Sequence, residues 1–152
     1  MTTFAIRVSL TVLTALAALA ALPAHAALGG DVASVLKDSA ALRASHAVTP
    51  FAAYDLHEAT SADGTVLREY VDKSGRVFAL SWRGPGSPNV RALLGDHAAH
   101  YDAVRARFSS HKVVNIDEPG FAVSIVKLPR GWHGQAVLPA AIPAGVARAD
   151  LR

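Results

Sequence analysis

Cysteine is absent from the 152-residue chain, which removes disulfides and thiolate chemistry from consideration. Charge is scarce as well: 18% of residues are charged and the formal balance is +3. That is too little basic density for a nucleic-acid binder or a polybasic membrane anchor. There is no Gly-x-Ser-x-Gly nucleophile elbow, and Arg83-Gly84-Pro85-Gly86 lacks the Lys-Ser/Thr of a phosphate loop. Internal repeats and low-complexity tracts are also missing, and the length suits one domain.

What is plentiful is apolar residues, 51% of the chain, and the excess sits at the start. Val8–Leu22 carries no charge, Arg7 precedes it, Pro23 closes it, and Ala24-His25-Ala26 follows. A spanning helix needs about 20 apolar residues, and this run is shorter. Small residues at positions 24 and 26 match what a signal peptidase accepts. Residues 1–26 therefore read as a signal peptide cleaved after Ala26, leaving 27–152 as a single periplasmic or secreted domain. No spanning segment is expected after cleavage. Loss of Arg7 lowers the formal charge by one.

Ala27–Gly30 reads as a flexible lead. Asp31 can cap a helix over Val32–Ala44, with Val32, Val35, Leu36, Ala40 and Leu42 at helical spacing. Ser45–Pro50 reads as a linker. Three runs rich in β-branched and aromatic residues follow, Tyr54–Thr60, Thr65–Val71 and Arg76–Trp82. The short Gly-ended connections between them demand an antiparallel meander.

A two-residue loop at Asp63-Gly64 would oppose Glu58 to Glu69. A three-residue loop with Gly64 left-handed sets Glu58 against Arg68 and His57 against Glu69. The same loop at Lys73-Ser74-Gly75 sets Tyr70 against Phe78 and Arg68 against Leu80. Tyr54, Leu56, Val66, Tyr70, Phe78, Leu80 and Trp82 then share one face, where a helix should pack. Val90, Leu94, His97, Tyr101, Val104 and Phe108 form an apolar stripe that places this helix after Asn89. Gly95 inside it should cost about 1 kcal/mol relative to Ala. Lys112–Asp117 and Phe121–Leu128 suggest a hairpin, Trp132–Leu138 a short strand, and the Pro- and Ala-rich tail an extended path. The expected fold class is α+β: an N-terminal helix, a three-stranded antiparallel meander with a helix on one face, and a smaller C-terminal β element.

Several short matches run along nearly the whole of residues 27–152: Ala27-Leu28-Gly29-Gly30, His57-Glu58, Arg68-Glu69-Tyr70-Val71, Val77-Phe78-Ala79, Trp82 with Gly84-Pro85, Leu93-Leu94-Gly95, and Leu138-Pro139 with Pro143-Ala144-Gly145-Val146. In order and spacing the chain resembles a family of short exported bacterial proteins classed as a domain of unknown function. It departs from that pattern at Asn89-Val90 and His97-Ala98. The resemblance implies no activity, cofactor or catalytic residue.

Two constellations carry possible chemistry. His57 beside Glu69 could orient an imidazole as a general base, although cross-strand ion pairs are common in sheets. His97 and His100, three apart on a helix, have metal-ligand spacing, although His97 falls within the apolar stripe. No catalytic, cofactor or metal residue is assigned. The leading reading is a non-catalytic envelope or extracellular binding module for an unknown protein or small ligand, without a nucleic-acid partner. The alternatives are a small exported hydrolase using His57 and Glu69, and a periplasmic metal-binding protein using His97 and His100.

Overall fold

A computed structural model describes residues 28–33, 35, 44–107 and 113–152. The strands are β1 (Ser45–Pro50), β2 (Tyr54–Thr60), β3 (Val66–Asp72), β4 (Val77–Gly84), β5 (Val113–Glu118), β6 (Phe121–Leu128) and β7 (Gly131–Val137). They form one seven-stranded sheet in the order β1-β2-β3-β4-β7-β6-β5, with every neighbouring pair antiparallel. Two meanders, β1–β4 and β5–β7, thus join along the β4–β7 ladder. Between them the chain crosses one face through α1 (Val90–Leu94), a 3-10 turn at Gly95–His97, and α2 (Ala98–Arg105).

This corrects the expected fold class. The α+β arrangement with a three-stranded meander and a separate C-terminal β element is replaced by one continuous sheet. The C-terminal strands pair with β4 because its outer edge is apolar on both faces and would otherwise lie open. Ser45–Pro50, read as a linker, is the edge strand β1. The helix drawn over Val32–Ala44 does not reach Ala44, which is irregular; Val32, Ala33 and Val35 have helical backbone, and residues 36–43 lie outside the described residues. The flexible lead is corrected too. Leu28 N–H donates to the Leu93 carbonyl at 2.8 Å, Gly29 N–H to Val77 at 2.8 Å, and Val77 N–H to Gly30 at 2.9 Å.

The first hairpin has the expected register, Glu58 opposite Arg68 and His57 opposite Glu69. Its turn closes with Ser61 N–H to the Thr65 carbonyl at 2.9 Å, and Gly64 takes φ +83°. The second turn closes from Asp72 to Arg76, with Gly75 at φ +87°. Both turns have three-residue loops because only a left-handed glycine at the third position returns the chain in register.

Beyond that turn the second hairpin departs from expectation. Val71 faces Val77, but Tyr70 faces Ala79 and Arg68 faces Ser81, so Phe78 is an extra, unopposed residue. This β-bulge moves Leu80 and Trp82 to the face opposite Tyr70. The expected Tyr70–Phe78 and Arg68–Leu80 pairs are therefore not made.

The helix face is built on Leu67, Val71, Leu80 and Trp82, with Leu93, Leu94 and Tyr101 packed over them. On the other face Tyr70 and Phe78 pack with Tyr54 and Leu56, and the C-terminal tail covers them. The Tyr54–Tyr70, Tyr54–Phe78 and Tyr70–Phe78 ring centroids lie 5.7, 6.0 and 6.2 Å apart. The tail bends through 3-10 turns at Pro139–Ala141 and Arg148–Asp150 and buries Leu151 completely. It is a packed layer, not a free extended end.

Candidate functional site

Antiparallel register places side chains in rows across the strands. On the helix face one row runs Ile116, Val123, Ala136, Leu80, Glu69, His57 and Val48. Glu69 is 1% exposed and His57 6%. The His57 Nδ1 lies 3.2 Å from the Nε2 of His46, with ring centroids 5.3 Å apart. Burial holds the His57 pKa below its ordinary 6.5, His46 lowers it further, and Asp55 pulls it upward. Of the sequence candidates, His57 and Glu69 are brought together. His57's Nδ1, however, is engaged by His46, a residue the sequence reading placed in a linker.

His97 and His100 are arranged differently. Both flank Phe121 at the start of β6. His97 stacks on that ring at 4.9 Å and 5°, and His100 meets its edge at 5.9 Å and 74°. His100 Nε2 also lies 2.9 Å from Glu118 Oε2. His97 is held by its ring face and His100 by its Nε2 on Glu118, and among the described residues no contact joins the two imidazoles to a shared ligand position. In the sheet order β6 is separated from β2 by β3, β4 and β7, so the two histidine pairs belong to different regions. Among the described residues, no group of three or more His, Asp or Glu side chains is placed to hold a metal ion.

A cavity of about 440 Å³ lies beside the first turn and is lined by Ser61, Asp63, Thr65, Gly86 and Asn89. Its polar groups face each other. Thr65 N–H and its hydroxyl both bind Asp63, Ser61 Oγ donates to the same carboxylate, and Gly86 N–H donates to Thr65 Oγ1 at 3.2 Å. The hydroxyl of Ser61 and then the Thr65 groups hold the Asp63 pKa below its ordinary value. This cluster builds the turn.

The opposite face offers a more open arrangement. One row reads Asn115, Ser124, Gln135, Ser81, Arg68 and Glu58, and the row beside it Val113, Val126, His133, Arg83, Val66 and Thr60. The tail ends over the first of these rows. Gln135 Nε2 donates to the Leu151 carbonyl. Arg68 Nη1 and Tyr70 Oη donate to the main-chain oxygen of Arg152 at 2.8 and 3.0 Å. Burial raises the Tyr70 pKa above 10, against the pull of hydrogen bonds and Arg68, so its hydroxyl remains a donor at neutral pH.

Past the tail two cavities open, of about 460 Å³ and about 520 Å³. They adjoin at His133 and Arg152, which line both, and form the two parts of a groove. Arg68 and Arg83 line one end and Arg148 the other, and no Asp or Glu side chain lines either part. Glu58 and Asp117 approach only from the margins, 2.8 Å from Arg68 and 2.6 Å from Arg148. Arg83 has no ion-pair partner among the described residues. The sequence reading missed this groove because Arg83 and His133 become neighbours only through the β4–β7 ladder.

The fold and groove define an antiparallel sheet domain with one face roofed by helices and the other partly covered by its own tail. The family profile described as protein of unknown function (DUF2844) matches residues 24–151, and the chain belongs to that family. No curated protein matches the chain, and no solved structure does.

Proposed function

We propose that the protein is an exported, non-catalytic binding module whose site is the groove beside the C-terminal tail. The observation that carries this is the groove itself: two adjoining openings lined by arginines, hydrogen-bonding side chains and apolar residues such as Val66 and Val126, floored by strands paired on both sides. Rigid strands hold such side chains in place before a ligand arrives, which reduces the ordering cost of binding. Export is supported by the leader-like composition of residues 1–26. Among the described residues no helix is long and apolar enough to cross a membrane.

Export is checked by the intact mass of protein recovered outside the cytoplasm. The expected N-terminus is Ala27; a chain still starting at Met1 in the membrane fraction overturns this part. The site is checked by titrating isotope-labelled protein with galacturonate, N-acetylglucosamine and inorganic phosphate. Amide shifts should gather at Gly64, Ser81, Arg83, Gly84 and Gln135. Shifts gathered instead at His46 and His57, or none at the groove, overturn the assignment.

A further inference from the structure

We infer that the groove binds an acidic polysaccharide, a polymer of sugars bearing carboxylate or sulfate groups. The inference rests on the binding-module reading and names its ligand class. It begins with the spread of charge. Arg68 and Arg83 stand on β3 and β4, with Arg148 and Arg152 contributed by the tail, and the imidazole of His133 on β7 adds a hydrogen-bonding group beside them. Adjacent strands are about 4.8 Å apart, so the stems of Arg68 and His133 are about 10 Å apart across the sheet. One phosphate or one carboxylate is too small to meet them all. An extended ligand with repeated acidic groups is matched to that spacing.

The second argument concerns what the groove floor cannot offer. β3, β4 and β7 are interior strands whose main-chain donors and acceptors are paired in ladders. A peptide that docks by strand addition needs an open sheet edge, and this groove runs across strands. Recognition is left to side chains alone. Guanidinium forks suit carboxylate and sulfate oxygens, while Ser81, Ser124 and Gln135 supply hydroxyl and amide partners for sugar hydroxyls.

Calorimetric titration of the purified exported protein tests this with polygalacturonate, heparin, neutral dextran and polyglutamate. Polygalacturonate or heparin should bind and dextran should not, and whichever glycan binds identifies the acidic group. Arg83→Glu should weaken binding at least tenfold. Arg91→Glu makes the same change of charge on the helix face, where Arg91 pairs with Asp102, and should leave binding unchanged. Melting curves confirm that both variants are folded. Raising salt from about 0.05 to about 0.5 M should also weaken binding, since the screening length shortens several-fold.

Polyglutamate binding as tightly as either glycan makes acidic peptides the ligand class and overturns the inference. Equal weakening by Arg83→Glu and Arg91→Glu reduces the effect to net charge and overturns it too. If no acidic polymer binds while N-acetylglucosamine still shifts the groove amides, the ligand class fails and the binding module stands. If no probe shifts those amides, both fail.

Discussion

Gly134 lies directly beneath the indole of Trp82, its register partner on β4. A Cβ at Gly134 would fall 2.0 Å from the Trp82 ring, and that ring is 1% exposed, so it has no room to swing aside. Gly134→Ala should lower the unfolding free energy by about 1–3 kcal/mol, the usual range for overpacking, as read by urea denaturation with intact β6–β7 pairing. His57 supports a second prediction, in pH. Its folded pKa lies below the unfolded 6.5, so the folded state favours the neutral ring. As pH falls through 6.5 the unfolded chain takes up the proton first. The contribution to stability is present above 6.5 and drains as pH falls through the folded value. Melting temperatures measured from about pH 7.5 down to about pH 5 should fall further for the wild type than for His57→Gln. Parallel curves would mean that His57 titrates alike in both states.

Gly95 decides how the helical segment is built. Read as the interior of one helix, it would be improved by alanine. In the structure it takes φ +51° and ψ −123°, ends α1 and turns the chain into the 3-10 segment before α2. Gly95→Ala should therefore destabilise, by about 1–3 kcal/mol for a residue forced into a sparsely populated conformation; a higher melting temperature in the variant would contradict the break. Asn89 caps α1 as its side-chain chemistry suggests, its Oδ1 accepting from Ala92 N–H at 3.2 Å. The hairpins were legible because each rests on local chemistry: Gly64 and Gly75 at the left-handed position, and Glu58 set against Arg68 rather than Glu69. The bulge at Phe78 was not. Every side chain from Val77 to Trp82 is buried, so the alternation that marks a face is absent from that run. β1 was hidden for the converse reason, since five of its six residues are exposed and it carries no apolar period. The groove was the least legible feature, because it needs the β4–β7 ladder and the packed tail together.

At the scale of the whole molecule the tail is a structural layer. Leu151, 0% exposed, packs with Tyr70, Phe78 and Val137 although it lies next to the last residue of the chain. Leu151→Ala should cost about 2–5 kcal/mol, the range for truncating a buried leucine. A loss below about 0.5 kcal/mol, typical of surface positions, would show the tail to be only loosely applied. The sheet order has a further consequence, for folding. Every strand pairing joins sequence neighbours except β4 with β7, which must close over the helices and two intervening strands. Local hairpins form within microseconds and long-range closure is slow, so zipping β4 to β7 should limit the folding rate. The same seam is a natural parting line: a chain cut between Gly84 and Val90 yields two pieces, each with its hairpins complete and one newly opened edge, β4 in the first and β7 in the second. Reassembly of the two from solution would measure how much of the fold that single ladder secures.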